Sequence, residues 1–299
     1  MGACLGNYRT MVNAASVIAV TVVFFLIVIK SFAWYISESL TVKASLLDSF
    51  SDFFSSLINL FAVRYAIKPA NEKYKFGHGK AEALAGFFQS LLIMGSAIWV
   101  MSHAFSHDHI KNVVNESNLV LLLMCLCSLL TLCLVVFQKY VIKQTKSVAV
   151  MSDHLHYQGD LFGDAAAIIA IIAAKYFKVF WLDSLLSLLI SGILFWGCLR
   201  IFKSSFNILM DRELPKDTLQ AILKTIATHP AVKEVHDLRT RSCGIQEFVQ
   251  VHISLDPYLS LEHAHAIGDE VEKLLLKLLP NAQILIHLDP FGIEINQNI

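Results

Sequence analysis

The sequence predicts an α-helical membrane domain of six spanning helices, followed by a small cytoplasmic α+β domain in the order αββαβ. Three observations predict it: an apolar composition, six apolar stretches of spanning length, and a change of hydrophobic period near residue 210. Hydrophobic residues make up 56% of the 299 positions and charged ones 16%, with a mean hydropathy of +0.58, too apolar for an ordinary water-soluble globule. Lys plus Arg equals Asp plus Glu at 24 each, so net charge points to no nucleic-acid partner. Function must come from where the charges sit.

A spanning helix needs about 20 mostly apolar residues. Stretches 12–36, 44–67, 83–105, 118–140, 148–174 and 179–202 meet that need. The start, "MGACLGNYRT", carries Arg9 and then a full-length span with no small-residue cleavage site, which predicts that it is retained. Basic residues gather between spans two and three (Arg64, Lys68, Lys73, Lys75, Lys80), between four and five (Lys139, Lys143, Lys146) and after six (Lys203, Arg212, Lys216). The positive-inside rule makes those segments cytoplasmic, and both termini with them. The connection 106–117 then faces out; His103, His107 and His109 are read there as residues of a solvated loop. Cys125, Cys127, Cys133 and Cys198 fall in apolar runs, and with no Cys-x-x-Cys pair the cysteines read as reduced packing residues.

The domain boundary is expected at 210/211, with 1–210 in the membrane and 211–299 in the cytoplasm. Pro215 opens a helix, and "DTLQAILKTIATH" places apolar residues at helical spacing. "EVHDLRTRSC" and "QEFVQVHISLD" read as strands joined at Gly244, "SLEHAHAIGDEVEKLLLKLLP" as a second amphipathic helix and "AQILIHLDP" as a last strand.

Ionisable groups at membrane depth are costly and point to function. Span two contains "LLDSFSDFF", with Asp48 and Asp52 four apart, and span five contains "HYQGD", with His156 and Asp160 four apart. Residues at i and i+4 share a helix face. If the two faces meet, three carboxylates and an imidazole converge, a donor set suited to a tetrahedral divalent cation such as Zn²⁺. Without a cation the carboxylates repel one another, so a positive occupant is expected over simple interhelical packing. By ligand softness the site accepts Zn²⁺, Fe²⁺, Cd²⁺ and Co²⁺, with weaker exclusion of Mn²⁺. Protons compete with metal for the same groups, and His156 is the natural carrier of an exchanged proton, which predicts metal/proton antiport. Asp164 continues the same face and Asp153 begins the helix; both stay outside the primary set.

Together, Asp48-x-x-x-Asp52, His156-x-x-x-Asp160, "FGHGKAE", "RYAIKPA", "ILMDRELP", "EVHDLRTR" and a histidine-bearing αββαβ tail resemble the cation diffusion facilitator family, in particular its bacterial zinc and ferrous-iron efflux members. The resemblance covers nearly the whole chain. It implies a ferredoxin-like tail, a homodimer in a bacterial inner membrane, and proton-driven export of Zn²⁺, with Fe²⁺ or Cd²⁺ as further cargoes, by alternating access. It implies Asp48, Asp52, His156 and Asp160 as the transport site, and His236, His252, His265, His287 and Asp289 as a binuclear regulatory zinc site between two tails. Asp289 follows His287 by two and shares its strand face, so one carboxylate can bridge two cations; His263 falls off the helical face of His265. It also implies a Lys80–Asp211 ion pair near the dimer interface. In one place the chain departs from the pattern: "NEKYKFGHG" offers Asn71 and Tyr74 where relatives carry an Asp and a His, leaving His78 alone with Glu72 nearby. A loop metal site is therefore expected to be absent or weak, with His78 as a helix-start or packing residue.

Two other classes fit the sequence less well. A membrane-anchored metal sensor, with the tail as its working part, leaves four ionisable groups at membrane depth without a use. An intramembrane metalloenzyme lacks a His-Glu-x-x-His motif and an open coordination position, so no enzymatic activity is expected.

Overall fold

The structure is a computed structural model describing residues 2–37, 40–103, 118–173, 177, 181–244 and 246–292. The chain divides into two compact units, one of Asn7–Phe206 and one that joins Met1–Gly6 with Asn207–Ile299.

Six long helices run through the first part of the chain: α1 (Gly2–Ser37), α2 (Leu40–Ala66), α3 (Lys80–His103), α4 (Asn118–Thr145), α5 (Val148–Ile172) and α6 (Trp181–Leu209). They match the six expected stretches, with α6 running on beyond the expected end at 202. Five contain a segment long and apolar enough to cross a membrane: Tyr8–Ile36, Ser45–Ala66, Lys80–Ser102, Cys125–Thr145 and Ser184–Leu209. Helix α5, 25 residues long and carrying Asp153, His154, His156, Asp160 and Asp164, is not among these segments when the described residues are considered. It packs against α4, α3 and α2, so those groups meet protein. Residues 106–117, with His107 and His109, lie outside the described residues.

Helix α2 shows how such a segment is solvated. Leu47, Phe50, Phe54, Ile58, Phe61 and Tyr65 form an exposed apolar stripe, whereas Ser49, Asp52, Ser56 and Asn59 are buried together with Val63. Polar inside and apolar outside is the reverse of a water-soluble helix and suits a lipid exterior. Around this stripe Val12, Ala15, Val63, Val141, Ala149 and Val150 form one apolar cluster, and Ala19, Val23, Leu134, Val135 and Tyr157 another. Alanines and valines dominate the two clusters, which together join residues of α1, α2, α4 and α5. Gly159 permits a tight approach of α5 to α6: a β-carbon there would stand 2.8 Å from a methyl of Leu194.

The second unit contains α7 (Lys216–Ala227), β1 (Glu234–Ser242), β2 (Glu247–Leu255), α8 (Leu261–Leu278) and β3 (Ala282–Pro290), the expected αββαβ order. The sheet order is β1-β2-β3; β1 and β2 are antiparallel across a turn where Gly244 has φ +86°, and β3 returns through α8 to pair parallel with β2. Pro215 occupies the N-cap of α7 rather than its first turn, and Ser260 caps α8 by accepting from the His263 amide. Ile222 and Ile226 of α7 and Val271 and Leu275 of α8 pack onto Val249, Val251, Ile253 and Leu255 of β2. Each such side chain contributes about 1.5–3 kcal/mol on burial. Strand alternation then turns His252, between Val251 and Ile253, to the sheet face opposite that core.

Candidate metal centres

In the membrane unit, the i, i+4 pairs of α2 and α5 meet. His156 Nε2 lies 2.8 Å from Asp52 Oδ1 and 3.9 Å from Asp160 Oδ2. Asp52, His156 and Asp160 form a group able to hold a metal ion, with one ligand atom each and all within 4.8 Å of one another. A cation placed here replaces the proton at Nε2 and faces both carboxylates at once. Asp48, one turn along α2, is exposed and lies outside that group, so three of the four expected donors are gathered. Asp164 accepts from Ser128 Oγ at 2.8 Å, one turn beyond Asp160.

From Asp52 toward the C-terminal end of α2, the α2–α5 interface continues as a polar ladder. Ser56 Oγ donates to Asp153 Oδ1 at 3.3 Å and shares a hydrogen bond with the Tyr157 hydroxyl; Gln138 Nε2 of α4 donates to Asp153 Oδ2 at 2.7 Å. Asn59 Nδ2 reaches the Ala149 carbonyl at 3.5 Å. Ser56, Asp153 and Tyr157 are each 1% exposed, whereas the side chains of His156 and Asp160 are 23% and 33% exposed. The ligands are sealed toward Asn59 and open toward Asp48. Past the ladder, Glu82 of α3 is buried and receives Tyr8 Oη at 2.8 Å and Ser147 Oγ at 2.6 Å, fixing the start of α5.

Sequence reasoning passed over three groups of this unit: Lys30, the Ser56–Tyr157–Gln138 network and Glu82. Lys30 lies in an apolar run and was detectable as an ionisable residue at membrane depth. The network needs the helix pairing. His78 is buried between the rings of Tyr65 and Tyr74, at centroid distances of 4.7 and 4.8 Å. Asn71 Oδ1 accepts from the amides of Lys73 and Tyr74 at 3.1 and 2.7 Å, so that side chain turns the loop.

In the tail unit, strand register lines up His236, His252 and His287 as direct partners across the three strands. Asp289 sits among them, 7% exposed: its Oδ2 lies 3.2 Å from His236 Nε2 and 2.9 Å from His252 Nδ1, and its Oδ1 lies 3.3 Å from His287 Nε2. His236, His252 and Asp289 group within metal-binding reach, and the two Asp289 oxygens face different imidazoles, the arrangement of a bridging carboxylate. His265 is not brought in; its side chain is 73% exposed and its Nδ1 lies 3.3 Å from Asp269 Oδ1 on the same helix. Asp237 was missed. A β-bulge after His236 gives it φ +46° and carries its Oδ2 to 3.8 Å from His252 Nε2, while Oδ1 accepts from Arg239 Nε at 2.8 Å. The signal was an aspartate, a residue tolerant of left-handed backbone, directly after a candidate ligand. Asp211, also left-handed at φ +54°, lies 3.5 Å from Arg241 Nη1; Lys80 begins α3.

Residues 16–210 match the cation efflux transmembrane domain and residues 214–291 the cytoplasmic domain of cation efflux proteins. The chain belongs to the cation efflux, or cation diffusion facilitator, family. It is 38% identical over 287 residues to the cation-efflux pump FieF of Yersinia enterocolitica, covering 96% of this chain and 95% of that one. It is 39% identical over 284 residues to FieF of Pectobacterium carotovorum, covering 95% and 94%. Among solved structures, the metal-bound C-terminal domain of the CzcD transporter from Thermotoga maritima covers 27% of this chain and 100% of its own length, at 24% identity and a TM-score of 0.26. Cation efflux family members are multi-pass membrane transporters of divalent metal cations rather than enzymes.

Proposed function

We propose that this family member exports Zn²⁺ from the cytoplasm in exchange for protons, with Fe²⁺ and Cd²⁺ as further cargoes, working as a homodimer by alternating access. The observation that carries the reading is the His156 Nε2 shared between Asp52 and Asp160 on two apposed spanning helices. One hard-to-soft borderline cation fits that donor set, and Asp48, one turn away, supplies a fourth oxygen after a small shift of α2. Each ligand must shed its proton to bind metal, so a proton gradient drives release and reloading. His156, facing both carboxylates, is the proton carrier of the exchange.

With both termini cytoplasmic, in a bacterial inner membrane, the sealed end of the ladder faces the cytoplasm and the open end faces out. Loading from the cytoplasm then requires Ser56, Asn59, Asp153 and Tyr157 to part. Tail cations held by His236, His252, His287 and Asp289, with His265 contributed at the join of two tails, favour the transporting dimer through a difference in metal affinity between its states. The open sheet face that bears the histidines is the surface for the second copy. Lys80 and Asp211 pair near that dimer interface, and the boundary between transport and regulatory domains falls at 210/211.

The test is Zn²⁺ flux into proteoliposomes under an imposed pH gradient, wild type against Asp160→Ala. Gradient-dependent flux lost in the variant is the expected result. Zn²⁺ flux indifferent to the gradient would reject antiport; no flux with intact tail binding would favour a membrane-anchored sensor.

A further inference from the structure

Lys30 of α1 is an ionisable residue inside the apolar segment Tyr8–Ile36. A lysine near a helix end ordinarily extends along the lipid face to the interface. Lys30 does the opposite. Its Nζ turns inward to α2, donating to Ser49 Oγ at 2.7 Å and to the Ser45 carbonyl at 3.3 Å. Ser49 is fully buried, adjoins Asp48 in sequence and precedes Asp52 by three on the inner stripe of α2. An ammonium is thus fastened to Ser45 and Ser49 of α2, which flank Asp48 in sequence, and Asp52 follows Ser49 by three.

We propose that Lys30 is a resident counter-charge of the transport site, which sets the cargo charge the site accepts and keeps bound metal releasable. This rests on the transport reading above. The three carboxylates Asp48, Asp52 and Asp160 carry three negative charges; Lys30 offsets one, and a single dication offsets the remaining two. A monovalent ion leaves the site one charge short in a low-dielectric surround, where an uncompensated charge is strongly disfavoured. The ammonium also repels a bound dication, which loosens binding and speeds release toward the open end. Ser49 and the Ser45 carbonyl hold it in place, so it acts as a fixed charge that the cargo does not displace.

The test is Zn²⁺ affinity of the full-length protein at pH 8, by competition with a chromogenic chelator. An Asp289→Ala background removes the tail site, and Lys30→Met and Lys30→Arg are compared with lysine. Lys30→Met is expected to bind Zn²⁺ about tenfold more tightly, with slower turnover in proteoliposomes, while Lys30→Arg stays near the lysine form. Affinity in Lys30→Met within about twofold of lysine, or weaker, overturns the proposal. Asp160→Ala in the same background keeps the two questions apart: if it binds Zn²⁺ as the parent does, the transport site itself has been misassigned, and if it loses binding while Lys30→Met changes nothing, only the role of Lys30 fails. Should Lys30→Met not fold, Ser49→Ala decides instead. It frees the ammonium from its hydroxyl and is expected to tighten Zn²⁺ binding severalfold; no change overturns the proposal.

Discussion

The membrane cluster and the tail cluster use the same ligand chemistry on different backbones. In the membrane, each helix supplies ligands by its own period, Asp48 with Asp52 and His156 with Asp160, and only the meeting of two helices is left to tertiary structure. In the tail, no strand supplies more than a local pair. His236, His252 and His287 come together because three strands pair in register, and a bulge adds Asp237. A site on helices is therefore built to come apart as helices slide, whereas a site on a paired sheet is stiff. On the proposed reading, the first site is the one that moves and the second the one that senses.

The largest expected effect breaks the contrast at its root. His156→Ala removes the imidazole that Asp52 and Asp160 share and is expected to abolish Zn²⁺ flux in proteoliposomes. His287→Ala is expected to keep maximal flux and to shift only its dependence on Zn²⁺ concentration. Equal losses in the two variants would mean that the tail site is part of the transport path.

Next in size are the supports of each site. Leu275 is fully buried under β2, and Leu275→Ala is expected to cost the tail about 2–5 kcal/mol, read as lost hydrogen-exchange protection in β1–β3 with the membrane helices unchanged. Asp153→Ala leaves Gln138 Nε2 facing a buried gap, at about 1–3 kcal/mol for the unmet donor, while Ser56 keeps its bond with Tyr157. In that variant the α2–α5 ladder loosens, and a cysteine placed at Asn59 is expected to react faster with a cytoplasmic thiol reagent. An unchanged labelling rate would show that the ladder is not the seal.

The same division decides what could be read in advance. The six helices, the tail order and its strand ends follow from hydrophobic period and turn residues, as at Gly244 and Ser260, because those signals are local. The i, i+4 pairs were equally local. Lys30 was missed because its partners Ser45 and Ser49 belong to another helix, and nothing in α1 says which way its side chain turns. Glu82 is by position a first-turn acid of α3; its burial depends on Tyr8 and Ser147, far away in sequence. His265 sits on α8 with the right residue type, and its i, i+4 neighbour Asp269 was a local signal left unused.

The smallest expected effect sharpens the picture of the tail. Asp237 lies with its Oδ2 3.8 Å from the nitrogen of His252 that points away from Asp289, so it acts on metal through that imidazole. An acidic neighbour of a ligating histidine orients the ring and raises its basicity, and removing one typically costs about 10–100-fold in metal affinity. Asp237→Asn keeps a residue that accepts φ +46° and the bulge, so any change reports the charge and not the backbone. The expected result is about tenfold weaker Zn²⁺ binding by the tail, measured with Asp160→Ala silencing the membrane site, and no change in maximal flux with the membrane site intact. Tail affinity unchanged in Asp237→Asn would mean that the carboxylate beside His252 takes no part in holding the cation.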